Sequence, residues 1–119
     1  MHDFRKLRVW QEAIELVVQV YAATRQFPPE ERFNLSSQLT RAAVSIPSNI
    51  AEGAGRIPNG EFVHFLGIAS GSCSEVPTQL IIAQRLNYLT SQQYNVMEQR
   101  LNAIQRMTAT LIKNLRNQQ

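Results

Sequence analysis

Apolar residues recur along this chain at alternating steps of three and four, and that spacing admits helices packed by one face and little else. The first row runs Leu7, Trp10, Ile14, Val17 and Tyr21, and Phe27-Pro28-Pro29 ends it because the residue before a proline leaves the helical region. The β-branched run at Val17-Val18-Gln19-Val20 favours a strand locally, but the sustained spacing outweighs it. A second row is Leu35, Leu39, Ala42, Ile46 and Ile50, with Asn34 placed as its N-cap. The third is Phe62, Leu66, Ala69, Cys73, Val76, Leu80 and Ala83. The fourth is Met97, Leu101, Ile104, Thr108, Leu111 and Leu115, widened by Met107 and Ile112. Thr90 and Gln93 stand at capping-box spacing before it, so the fourth helix starts at Thr90 or Ser91.

The links at Pro28–Phe33, Gly53–Asn59 and Leu89–Thr90 are short, so consecutive helices lie side by side and antiparallel. The chain of 119 residues therefore reads as all-α, one domain over 1–119, an up-down-up-down four-helix bundle. Val9, Val18 and Val20 on helix 1 and Ile68, Ile81 and Ile82 on helix 3 fall outside these rows and supply apolar surface for copies of the chain to meet. Pro77 leaves open whether helix 3 is continuous.

The stretch Ser45-Ile46-Pro47-Ser48-Asn49-Ile50-Ala51-Glu52-Gly53-Ala54-Gly55 interrupts this pattern. Two glycines and Arg56 suggest a phosphate loop, but they follow a helix, and neither a third glycine nor a Gly-Lys-Ser/Thr follows. Gly53 reads instead as a helix stop in the left-handed conformation. Pro47 removes the hydrogen bond to the Ala43 carbonyl and bends the helix, with Ser45, Ser48 and Asn49 able to satisfy the opened backbone. A polar row of Gln38, Arg41, Ser45, Asn49 and Glu52 runs beside the apolar one. Antiparallel pairing sets it against Ser72 and Glu75, with Arg41 in reach of Glu75 and Glu52 opposite Glu61. The residues form a structural layer fixing helix register; a pocket for a small ligand, or catalysis there, is the alternative.

The sequence Gln38-Leu39, then Arg41-Ala42-Ala43-Val44-Ser45-Ile46-Pro47-Ser48-Asn49-Ile50-Ala51-Glu52-Gly53, resembles the signature of a bacterial four-helix-bundle family named for 23S rRNA intervening sequences. Leu7, Val9 and Trp10, then Glu61-Phe62, Ile68-Ala69-Ser70-Gly71-Ser72 and Glu75, extend the match over nearly the whole chain. Val76-Pro77 departs from it, since the family has an uninterrupted helix there. The resemblance implies antiparallel bundles assembled into rings, typically homopentamers, with no established catalytic activity. It also implies kinship with the accessory variability protein of diversity-generating retroelements, a basic ring that partners nucleic acid.

Formal charge is +3, unevenly spread. Arg5, Lys6 and Arg8 stand near one terminus and Arg106, Lys113 and Arg116 near the other, while the middle is acidic. In an up-down-up-down bundle both termini share one end, so these six residues are the candidate contacts for RNA or DNA. No aromatic residues interleave with the basic ones, which weakens a single-strand reading. One cysteine and the distant His2 and His64 make no metal set, and no cofactor is expected. His2, in a terminus expected to be mobile, and His64 offer no triad geometry, and Cys73 lies in an apolar row, so catalysis is not expected. With no long apolar run, no visible export signal and no disulfide, a cytoplasmic location without membrane contact is expected.

Overall fold

The computed structural model describes residues 1–118 and contains four α-helices and no strand among them. They are α1 (Arg8–Thr24), α2 (Leu35–Ala54), α3 (Asn59–Arg85) and α4 (Ser91–Asn117). Short 3₁₀ turns stand at Phe4–Lys6 and Pro29–Glu31. Each α-helix packs on two others, α1 and α3 each against both α2 and α4. Their buried side chains make one core, in a body of 47 × 24 × 20 Å.

The apolar rows of α2, α3 and α4 occupy the core nearly as their spacing requires. Leu39, Ala42, Ile46 and Ile50 are buried, as is every member of the third row from Phe62 to Ala83. Met97, Leu101, Ile104, Thr108 and Leu115 follow on α4, and the Thr108 hydroxyl donates to the Ile104 carbonyl (2.7 Å), which satisfies this buried hydroxyl.

The face of α1 differs. The buried row is Val9, Ala13, Leu16, Val20 and Ala23, one residue back from the expected one. Val9 and Val20 are therefore core residues, not surface for assembly, while Val18 is 59% exposed. Apolar residues populate both rows of this helix, so spacing alone does not choose between them. Packing chooses the row with small Ala13 and Ala23, which lets the axis approach. Trp10 takes the edge, where Phe4 meets it edge-on at 5.2 Å between ring centroids.

Helix ends show which local signals hold. Thr90 accepts from the Gln93 amide (3.1 Å) while the Gln93 side chain accepts from the Thr90 amide (2.8 Å), a complete capping box. At the other end of the α3–α4 turn, Asn87 takes φ 65°, and the Tyr88 amide reaches back to the Ala83 carbonyl (2.9 Å), closing α3 with a left-handed asparagine. Asn34 occupies the N-cap position of α2 without capping it; the Glu31 carboxylate accepts from the Leu35 amide instead (3.4 Å). The amino terminus is docked, with the His2 amide donating to the Ala54 carbonyl (2.8 Å) and its ring 5.1 Å from that of Phe62.

Both internal prolines sit in unbroken helices, Pro47 in α2 and Pro77 in α3. Near Pro47 the Ser45 hydroxyl donates to the Ala42 carbonyl (3.0 Å) and the Asn49 amide group to the Ser45 carbonyl (2.8 Å). Gly53 is not the stop. Helix α2 runs to Ala54, and no glycine has positive φ. The reason for glycine is proximity: a Cβ there stands 2.8 Å from the Phe65 Cβ and 2.9 Å from the Phe62 ring. Gly53→Ala should gain about 1 kcal/mol in helix propensity but lose about 1–3 kcal/mol to overpacking, because the Phe65 Cβ is fixed to backbone. The urea midpoint of this variant should fall; an unchanged or higher midpoint contradicts the close-approach account.

Candidate functional site

The sequence-derived polar layer divides into two groups. At its centre the Ser45 and Ser72 hydroxyls are hydrogen-bonded to each other, tying α2 to α3 between their apolar rows. Ser72 is buried, and Asn49 lies one turn from Ser45, bonded to its carbonyl. Beside this link a cleft of about 510 Å³ opens between the two helices, lined by Gln38, Arg41, Ala42, Ser45, Glu75 and Gln79. The expected Arg41–Glu75 ion pair does not form: the Arg41 guanidinium donates to the Ser37 hydroxyl (2.8 Å), and no ion pair of Glu75 occurs among the described residues. Ser37 lies one turn before Arg41 on the same helix, and this local partner draws the guanidinium along α2 rather than across to α3.

Glu52 belongs elsewhere. Arg56, in the α2–α3 turn, donates to Glu52 (2.5 Å) and to Glu61 (3.3 Å), and its guanidinium lies 5.1 Å from the Phe65 ring centroid. The carboxylates do face each other across the turn as expected, and one cation between them removes their repulsion. All three groups are substantially exposed, so the bridge contributes little to stability.

At the chain ends, the Asn59 side chain donates to the Gln118 side-chain carbonyl (3.3 Å) and His2 is held at Ala54, so both termini lie beside the α2–α3 turn. Arg5, Lys6, Arg8, Arg106, Lys113 and Arg116 are all exposed, and none forms an ion pair among the described residues. Two of them share a site: Arg8 and Arg106 flank a groove of about 410 Å³ between α1 and α4 whose apolar part is Leu7, Val9, Met107 and Leu111. Arg5 instead lies over the Phe4 ring, 4.5 Å from its centroid.

One interaction escaped sequence reasoning altogether. Arg100, a basic residue of the carboxy-terminal third, pairs with Glu12 across the α1–α4 seam (2.8 Å) and donates to Gln19 (3.1 Å). α1 offers two glutamates, Glu12 and Glu15, and α4 three arginines, so choosing the pair needed the helix rotations to be known. Tyr94 donates to Glu98 one turn on, and that bond, with burial and the nearby negative charge, pushes the phenol up to about 12. Tyr88 donates to Glu31 (2.9 Å), linking the α1–α2 connection to the α3–α4 turn and raising its phenol for the same first reason.

No group of three or more histidine, cysteine, aspartate or glutamate side chains able to hold a metal ion occurs among the described residues. No described helix is long and apolar enough to cross a membrane.

The model of the 23S rRNA-intervening sequence protein family matches residues 5–110. A crystal structure from Bacteroides thetaiotaomicron VPI-5482, of a protein with unknown function from the S23 ribosomal protein family, superposes with a TM-score of 0.81 at 25% identity, covering 88% of this chain and 95% of that one. No curated protein matches the chain.

Cys73 is buried in the core, and burial pushes its thiol up to about 12 from an ordinary 9.0. At pH 8 the reactive thiolate is then on the order of one part in ten thousand. Native protein should resist alkylation by iodoacetamide at pH 8 and react promptly once unfolded in urea; equal rates in the two states contradict this burial.

Proposed function

Because the chain belongs to the 23S rRNA-intervening sequence protein family, we propose that it is a non-catalytic, cytoplasmic bundle of up-down-up-down topology that assembles with copies of itself and serves as an interaction scaffold. The topology is supported by the contacts at the helix ends. Gln93 at the start of α4 bonds Gln26 just beyond α1, and the other end of α4 meets the start of α3.

The observation that carries the assembly is the outer face of α3. Ile68, Ile81 and Ile82 are 42%, 40% and 45% exposed there, and Gly67 and Gly71 between them have nothing within 4 Å of an added Cβ. A helix with apolar residues on its outer as well as its inner side is ordinarily covered on both. A second copy supplies that cover, and a ring follows if the contact is heterologous and closes. Five subunits is the number that the family resemblance implies. The non-catalytic reading rests on the inert Cys73 thiol and on the pairing of both Glu52 and Glu61 with Arg56.

Sedimentation equilibrium at micromolar protein should give a multiple of the 13.5 kDa chain mass. Ile81→Asp combined with Ile82→Asp should return it to the monomer with its helical circular dichroism unchanged. A monomeric parent protein removes the assembly, and a variant that keeps the parent's mass removes α3 as its interface.

A second reading, binding of structured RNA or DNA, is favoured by the exposed cations without ion-pair partners and by the convergence of Arg8 and Arg106 on one groove. On duplex each phosphate contact adds about 0.9 to the slope of log affinity against log salt. Arg8→Gln with Arg106→Gln should therefore reduce that slope by about 2 in filter binding with structured RNA at low salt. No retention of RNA at excess protein excludes this reading.

A further inference from the structure

The α2–α3 cleft brings together a solvent-exposed cation, a solvent-exposed carboxylate and one buried, unpartnered amide oxygen. Arg41 carries a positive charge whose only hydrogen-bond partner among the described residues is the neutral Ser37 hydroxyl. Glu75, across the cleft on α3, has neither an ion pair nor a hydrogen bond among the described residues. Gln79, one turn from Glu75 on the same ledge, has a buried Oε1 with no donor, and no other buried side-chain polar atom among the described residues lacks a partner. Burying an acceptor without a donor is costly enough that such atoms are rare and call for an explanation.

We propose that this cleft binds a small zwitterion of the amino-acid class. Its carboxylate is held by Arg41 from the α2 side, and its ammonium is held by Glu75 and the Gln79 carbonyl oxygen from the α3 side. A simple anion drawn to Arg41 faces the Glu75 carboxylate, and a simple cation drawn to Glu75 faces the guanidinium. Only a ligand with both charges meets both walls favourably. The terminal torsion of a glutamine amide is broad, so a modest swing turns the Gln79 oxygen to a donor in the cleft. The Ser45–Ser72 link beside the cleft holds its two walls together. A cleft of about 510 Å³ lies within the ordinary range of small-molecule sites. The proposal is independent of self-assembly, which uses the outer face of α3.

The test is calorimetric titration of the full-length protein with glycine, β-alanine, γ-aminobutyrate and 6-aminohexanoate, each beside the carboxylic acid and the amine of its own length. The series reads the spacing between the two charged walls. One zwitterion should bind at least about tenfold more tightly than either half-charged counterpart. Arg41→Met and Glu75→Gln should each weaken it by roughly 10- to 100-fold, the value of a charge-assisted hydrogen bond. Gln79→Met should weaken binding while raising the ligand-free thermal midpoint, since it removes the orphaned acceptor; a residue that only stabilises the fold does not move both ways. Zwitterions binding no better than their half-charged counterparts overturn the proposal. So does binding that survives Arg41→Met and Glu75→Gln. A third contrary result is a change of sedimenting mass in those variants with no zwitterion bound by the parent, which assigns the cleft to a second copy of the chain.

Discussion

The close approach of α2 and α3 is the constraint on which the remaining features depend. It is seen where Gly53 of α2 meets Phe62 and Phe65 of α3, and where Ser45 meets Ser72. At Gly53 there is no room for even a methyl group. Apolar side chains fill this seam, and the charged residues beside it lie on its exposed flank. There Arg41 and Glu75 line an open cleft instead of forming a buried pair. The same proximity brings the Ser45 and Ser72 hydroxyls together and sets Glu52 and Glu61 on either side of Arg56.

The α1–α4 side is held differently. Its packing is sparser, and its specific tie is the Arg100–Glu12–Gln19 group rather than a run of small residues. Grooves open along this seam at both ends, the basic one at Arg8 and Arg106 and a glutamine-lined one at Gln19, Gln26, Gln92 and Gln93. An interaction scaffold needs surface that its own fold does not consume. This chain keeps such surface in two places, the outer face of α3 and the α1–α4 grooves.

How far the sequence was legible follows from how one-sided each helix is. On α2 and α4 the polar residues sit opposite the apolar row, and spacing named the buried face. On α3 the row was also right, although isoleucines occupy the far side, because its members from Phe62 to Ala83 keep alternating steps of three and four without a break. On α1 two apolar rows compete, and the bulkier one, with Trp10 and Tyr21, was the wrong choice. Side-chain size matters there more than hydrophobicity, since the volume available is set by α2 and α4. The candidate site was legible in membership but not in pairing. Gln38, Arg41, Ser45 and Glu75 do meet in one cleft, whereas Glu52 belongs to the turn, and Gln79 became significant only when its carbonyl oxygen proved to lack a donor.

Local chemistry was sufficient for the all-α class, the number of helices, the α2 and α4 core faces and the Thr90 capping box. Each of these depends on residues within a turn or two of one another, whose geometry the backbone imposes. Tertiary packing decided the rotation of α1, the reason for Gly53, the partner of Arg100 and the unpaired state of Arg41 and Glu75. Those are contests between alternatives of similar local energy, and what settles them is the space and charge that another helix brings.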